Sequence, residues 1–495
     1  MNLVSAPWIP AVRSDGTRDL FSLDDLFAQA HTLRDLAVKP HERIALMRLL
    51  LCITQAALDG PADEEAWENC GPLIQPRVKE YLEKWRSKFE LFGDGERFLQ
   101  VANLMPGKSD DEGNPATKLD LSLATGNNPT LFDNAAGDPR AVAAAHAALS
   151  LLTFQCFSPG GRIGVAKWNG KDTPGKGSSN HAPCVPSSMV HTLLLGDSLL
   201  ETVRLNLLTH EMIADAFTGK RGQPVWEQPP VGAGDSAAVD NATSTYLGRL
   251  VPLARCIRLQ PDGTSLILAN GLDFPLFPAF REATATIIQR KEELGLLPAS
   301  TGRSLWRQLG PIAVRRKSAR DAISGPLALM HEFRSDEVGL WIGALVTDKA
   351  KIEDVVEGFY RVPRSMLDAP SRVAYERGVH HAEETESALI QAVKQFAHEL
   401  KIGSPAYDHA RQHFWTRVEQ SLPDLFAVAR DLTLDDELPA SAWGRAVQAA
   451  ARDAYEQCCP CQTPRQIQAY VLGLRRLFLS AVSKSAKANK GTSHE

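Results

Sequence analysis

The sequence runs to 495 residues, 44% hydrophobic and 23% charged, with a formal net charge of −5 at pH 7. That balance excludes a mainly disordered chain, and at about 150 residues per domain it implies on the order of two to four domains. The acidic total counts against a free-standing nucleic-acid binder, though not against one whose basic residues are local.

Met1 to Pro10 has no basic region followed by a long apolar core, so no secretory signal is expected. The most apolar stretch, Ile44 to Ile53, is broken by Arg48 and falls short of the ~20 residues that span a bilayer. These features predict a cytoplasmic protein with no membrane partner.

In chain order, Leu3 to Val12, a turn at Ser14-Asp15-Gly16 and Arg18 to Phe21 predict a β-hairpin. Ser22 with Asp25 has the form of a capping box opening the first helix. Residues 41–58 predict an apolar helix with Ile44, Met47, Leu51 and Ala56 in the core. Residues 103–185 change character. Two polar, Gly- and Asn-rich loops flank a helix predicted over Arg140 to Phe154, a common way to present backbone to a ligand. A helix near 198–208, a Pro/Gly-rich loop at 222–235 and strands around Ala254–Leu259 and Ser265–Leu268 come next. The segment from Gly302 to Arg320 carries Arg303, Arg307, Arg315, Arg316 and Lys317.

Beyond 366 the pattern is helical. Leu389, Val393, Phe396 and Leu400 share one helix face, as do Trp443, Val447, Ala450 and Ala454. The last helix opens on Thr463 as N-cap with Pro464 at N1 and Gln466 completing a capping box. Its buried side is expected to hold Ile467, Tyr470, Leu474, Phe478 and Ala481. With the helix containing Phe414 and Val418, the expectation is an antiparallel four-helix bundle. The predicted class is α+β: a mixed α/β domain over 1–365, the bundle over 366–484, and a disordered tail over 485–495.

Enzyme signatures are missing. Gly170 to Gly177 approaches the spacing of a phosphate-binding loop, but Gly177 stands where Ser or Thr should bind magnesium, and no helix start comes after it. His380-His381 with Glu383-Glu384 could ligate a metal or form a solvated helix face. Cys458 and Cys461 make a single CxxC without the second pair that a zinc site usually needs. No metal, cofactor or catalytic residue is therefore expected.

The chemistry that is present suits nucleic acid. Gly160-Gly161-Arg162, with Lys167, Lys171 and Lys176 after it, offers main-chain N–H groups and cations to phosphates; the alternative is an ordinary solvated loop. Arg315-Arg316-Lys317 is either a basic patch beside nucleic acid or a partner, or a solvent-facing turn. Phe132 and Phe157 could stack on bases or pin their loops to the domain.

Several motifs, in this order, resemble the CasA family, the large subunit of the type I-E CRISPR Cascade complex. They are Asn2-Leu3…Pro7-Trp8-Ile9-Pro10, Ser122…Gly126-Asn127-Asn128-Pro129-Thr130-Leu131-Phe132-Asp133, Phe157-Ser158-Pro159-Gly160-Gly161-Arg162-Ile163-Gly164, Trp168-Asn169-Gly170 leading to Ala182-Pro183-Cys184, and Leu199 to Leu208. The resemblance implies an N-terminal domain of family-specific fold and a C-terminal four-helix bundle. It implies a non-catalytic subunit that joins the other Cascade subunits and the crRNA and reads the protospacer-adjacent motif in double-stranded DNA. It also implies help with strand separation and later recruitment of the helicase–nuclease, with sequence reading left to the guide RNA.

Carried over by position, Gly160, Gly161 and Arg162 match the family's glycine loop at the minor groove. Asn127, Asn128, Thr130, Phe132 and Asn134 match its loop at the RNA end and target. The wedge that splits the first base pairs falls on Asp348, Lys349 and Ala350, where some members have glutamine. The family's minor-groove lysine maps near Asp262-Gly263, where this chain has none and Arg258 is the nearest base. Only Cys256 lies where some members bind zinc, so no zinc is implied.

Overall fold

The computed structural model describes residues 1–107, 113–123, 140–158, 163–173, 189–217, 220–272, 274–275, 277–282, 284–290, 293–313, 335–348 and 351–488. Two compact units divide the chain. The N-terminal unit comprises Met1–Phe333 and Val338–Arg361, the C-terminal unit Arg334–Glu337 and Val362–Glu495.

The described strands, in order, are β1 (Ile9–Arg13), β2 (Arg18–Phe21), β3 (Leu33–Leu36), β4 (Leu104–Pro106), β5 (Asn114–Pro115), β6 (Ala166–Trp168) and β7 (Lys171–Asp172). They continue with β8 (His191–Leu195), β9 (Arg255–Leu259), β10 (Ser265–Asn270), β11 (Ile287–Arg290), β12 (Glu293–Leu296), β13 (Glu337–Asp348) and β14 (Lys351–Pro363). They form small sheets ordered β2-β1-β3, β4-β6-β7, β5-β10-β9 and β14-β13-β8, with β11-β12 as a hairpin.

The N-terminal helices are α1 (Leu23–Gln29), α2 (Pro40–Leu58), α3 (Glu64–Asn69), α4 (Gly71–Trp85), α5 (Ala144–Phe157), α6 (Leu199–Leu205), α7 (His210–Ala216), α8 (Ser236–Ser244), α9 (Tyr246–Leu250) and α10 (Leu309–Ile312). The Ser22 hydroxyl accepts from the Asp25 N–H at 3.0 Å and donates to its carboxylate at 2.7 Å, so α1 starts at the expected residue. The first hairpin pairs Ile9 with Phe21, shorter at its start than the sequence suggests.

Helix α2 is buried on every side from His41 to Gln55, Arg48 included. The residue that breaks the apolar run is itself interior. Its guanidinium pairs with Glu282, donates through Nε to the Leu250 carbonyl at 2.7 Å and reaches the Arg249 carbonyl. Arg249 in turn bonds Glu282 at 2.9 Å, and both of these side chains are fully buried. Burial raises the Glu282 carboxyl, but Arg48 and Arg249 outweigh it and hold it at about 2.

The C-terminal unit is helical: α11 (Ala369–Leu400), α12 (Tyr407–Glu419), α13 (Leu422–Arg430), α14 (Thr433–Asp436), α15 (Ala442–Cys458) and α16 (Pro464–Ala488). The sequence pattern anticipated α11, α12, α15 and α16; α13, whose Leu425, Val428 and Ala429 are buried, is additional. The capping box at α16 forms, with the Thr463 hydroxyl accepting from the Gln466 N–H at 3.2 Å and Gln466 Oε1 accepting from the Thr463 N–H at 3.0 Å.

The expected buried face of α16 needs correction at Ile467; Tyr470 and Leu474 are half-buried, and the side chains of Phe478 and Ala481 lie outside the described residues. Ile467 is 49% exposed, whereas Ala469 and Leu477 are buried. The cause is close packing. A Cβ on Gly473 would lie 2.8 Å from the Ala392 carbonyl oxygen on α11, so small residues rather than large ones mark this contact. Helix α16 runs to Ala488, into the stretch expected as a tail; 489–495 lie outside the described residues.

Candidate nucleic-acid interface

Gly160, Gly161 and Arg162 lie outside the described residues, as do Asn127, Asn128, Thr130, Phe132 and Asn134, the basic run Arg315, Arg316 and Lys317, and Lys349 with Ala350. Asp348 is the last residue of β13 and Lys351 the first of β14, so 349–350 connect the two strands of one hairpin. What the structure places is the ground from which these segments leave.

Both the segment 124–139 and the segment 159–162 adjoin α5. From Ala147 to Phe157 this helix is buried all round, so close packing holds it in the core. Polar contacts at its two ends add directional bonds to that packing. Ahead of the helix, the Val142 N–H donates to the Gly263 carbonyl at 3.0 Å. Gly263 sits in the β9–β10 turn at φ +68, and a Cβ there would lie 3.0 Å from the Val142 carbonyl oxygen. The turn is braced by Asp262, whose carboxylate accepts from the Thr264 N–H at 3.0 Å and hydroxyl at 2.7 Å. Those bonds lower its pKa.

At the other end, the Gln155 side chain brackets the start of β9. Its Nε2 donates to the Leu99 and Arg255 carbonyls at 2.9 and 3.0 Å, and its Oε1 accepts from the Arg255 N–H at 2.9 Å. Arg255 Nε then donates to the Ser158 hydroxyl at 2.9 Å. Burial pushes the Arg255 guanidinium down to about 10. Phe157 is buried and meets His191 edge-on at 5.8 Å between ring centroids, so it pins the helix end and is not presented to solvent.

The first foot of the segment 124–139 is polar. The Asp120 carboxylate accepts from the Ser122 N–H and hydroxyl at 2.9 and 2.6 Å, and lies 3.2 Å from His146 and 3.6 Å from Lys39. Burial would raise its carboxyl, but hydrogen bonds to His146 and Ser122 hold it far below the usual carboxylate range. Between the two feet opens a cavity of about 250 Å³ lined by Thr117, Asp120, Leu123, Arg140, Val142 and His146. Arg258, on β9, is half-buried, and burial, with a smaller contribution from the Arg258 charge, depresses the Arg97 guanidinium.

Asn169 and Gly170, at φ 51 and 78, form the two-residue turn of hairpin β6–β7; Pro174 to Gly177, the rest of the near match to a phosphate-binding loop, lie outside the described residues. His380 is 71% exposed and 3.5 Å from Glu384. Cys458 is half-buried and Cys461 exposed, both free thiols. Among the described residues no group of three or more His, Cys, Asp or Glu side chains could hold a metal. None of their helices is long and apolar enough to cross a membrane.

Gln155, Ser158, Arg255 and Val142 do not stand out in the sequence as site residues. One signal does exist: a lone glutamine inside an apolar helix needs buried partners.

A family model described as CRISPR-associated protein Cse1 matches residues 2–454. The chain belongs to the CRISPR-associated Cse1 family. A CasA/Cse1 protein of Thermus thermophilus is 28% identical over 502 residues, covering 92% of this chain and 91% of the relative. The crystal structure of Thermobifida fusca Cse1 superposes with TM-score 0.79 at 21% identity, over 96% of this Cse1-family chain and 98% of that one. A chain of a structure described as a CRISPR RNA-guided surveillance complex gives TM-score 0.71 at 18% identity, over 97% and 99%. The mixed helix–strand fold of Cse1 is thus shared across nearly the whole length.

Proposed function

We propose that this chain is the DNA-sensing large subunit of a crRNA-guided type I-E CRISPR surveillance complex. It joins the other Cascade subunits and the crRNA, recognises the protospacer-adjacent motif in double-stranded target DNA and promotes strand separation and R-loop formation. It then recruits the helicase–nuclease, has no catalytic centre of its own and works in the cytoplasm. Helices α11, α12, α15 and α16 serve as its antiparallel four-helix bundle.

The observation that carries the reading is the common seat on hairpin β9–β10. The flanks of the 124–139 and 159–162 segments are bonded to it, and its turn is where the resemblance puts the minor-groove contact. In this reading Gly160, Gly161 and Arg162 meet the motif. Asn127 to Asn134 meet the RNA end and target, Asp348 to Ala350 form the wedge, and Arg315 to Lys317 are a basic patch beside nucleic acid. The net acidic charge fits a subunit whose bulk affinity is supplied by a larger ribonucleoprotein, because weak non-specific binding leaves the search for true sites fast.

The test is target binding by the reconstituted complex with and without this subunit, on DNA carrying or lacking candidate motifs. Motif-dependent binding that disappears with the subunit, and falls at least about tenfold when Gly160, Gly161 and Arg162 are replaced, supports the reading. Unchanged binding makes the subunit a scaffold that never touches DNA. Sharp discrimination of A·T from T·A counts against the minor-groove assignment, since that groove mainly separates A·T from G·C.

A further inference from the structure

Helix α5 joins two segments assigned to nucleic acid, and one hairpin holds it at both ends. We infer that Gln155, Ser158 and Arg255 at its C-terminal end, and Val142 and Gly263 ahead of it, are positioning residues. Together they make a clasp by which β9–β10 fixes α5 near the two points where these segments join it. The inference rests on the proposed function, because it takes 124–139 and 159–162 as the contacts to target and motif.

The contacts themselves argue for this role. Close packing already resists rotation of a helix buried all round, and the Gln155 amide adds a directional lock: its three bonds to backbone at Leu99 and Arg255 form in one register only. The Ser158–Arg255 bond sits two residues before Gly160, and the Val142–Gly263 bond sits immediately ahead of the helix. Each end is therefore fixed where chain leaves the core, and both are referred to the same two strands, paired from Leu259↔Leu266 to Arg255↔Asn270. A shift of the hairpin on engaging DNA at its turn would reach both ends of α5 as one movement.

The experiment uses the assembled complex carrying Ser158→Ala, which removes the acceptor for Arg255 Nε. A second variant, Arg255→Lys, keeps the charge but withdraws Nε. Affinity is measured on duplex with the motif, duplex without it, and a pre-opened bubble target, alongside thermal unfolding of the subunit. The ratio of the two duplex affinities should fall about five- to tenfold for each variant, the size of one typical lost hydrogen bond, with bubble binding unchanged. Val142→Pro, which removes the donor ahead of the helix, should leave that ratio intact and weaken bubble binding by a similar factor.

Equal loss on all three targets, or no loss with either Ser158→Ala or Arg255→Lys, overturns the inference while the proposed function stands. If replacing Gly160, Gly161 and Arg162 also leaves the ratio untouched, the proposed function falls and the inference with it.

Discussion

The two units of this chain are held by different means. In the N-terminal unit, side chains cross long stretches of sequence to bond backbone or bury charge. Gln155 reaches Leu99 and Arg255, Gln55 donates to the Leu208 carbonyl at 2.6 Å, and Arg48 and Arg249 share Glu282 in the core. In the C-terminal unit, helices meet on apolar faces. Leu389, Phe396, Phe414, Val418, Leu425, Trp443 and Val447 are buried, and ion pairs such as Arg417–Asp453 at 2.8 Å lie on the surface. Polar contacts specify where irregular chain must go; periodic apolar contacts suffice where the elements are regular.

The comparison breaks most visibly at Glu282. Glu282→Gln should cost about 3–5 kcal/mol in urea unfolding of the N-terminal unit, because it removes the carboxylate from two buried guanidiniums. A loss under about 1 kcal/mol, on the scale of a surface pair, would erase the contrast between the units.

Acid should act next. His191 is buried; burial, helped by Arg48 and Arg249 against Glu282, depresses it to about 3 from an ordinary 6.5. The unfolded chain therefore binds a proton that the folded chain refuses. Stability is full above about pH 6.5 and falls as pH drops towards 3, roughly 2 kcal/mol being lost by pH 5 through this residue. Below about 4.5 the depressed Glu282 adds a loss of the same sign. His191→Asn should shrink the difference between urea stabilities at pH 7 and pH 5; an unaltered difference would assign the acid response elsewhere.

The smallest effect sharpens the other side. Asp453→Asn removes the partner of Arg417 on an exposed face and should change stability by about 0.5 kcal/mol or less. A larger loss would mean that the helical unit, too, depends on charge.

This division also explains what could be seen from sequence. Ser22–Asp25 and Thr463–Gln466 were legible because a capping box is complete within four residues. The faces of α11 and α15 were legible because one period repeats along each. Arg48 was not, since its partner Glu282 lies 234 residues away, and alone it looks like an interruption. Ile467 was misplaced on the α16 face because the buried positions near it are Ala469 and Gly473, and small residues carry little hydrophobic signal. Of the candidate interface, the bounding helix and hairpin were readable. The bonds that tie Val142 to Gly263 and Ser158 to Arg255 were not, because hydrogen bonding between distant segments leaves no period.

One consequence of the clasp concerns how this protein can vary over generations. Each residue inserted in an α-helix advances the downstream chain by about 1.5 Å and turns it by about 100°. With Val142 and Ser158 both tied to one hairpin, α5 can exchange one apolar side chain for another, but a single-codon insertion or deletion would swing Ser158 away from Arg255. Tolerated length changes should therefore gather outside the stretch from 142 to 158, which acts as a fixed-count segment.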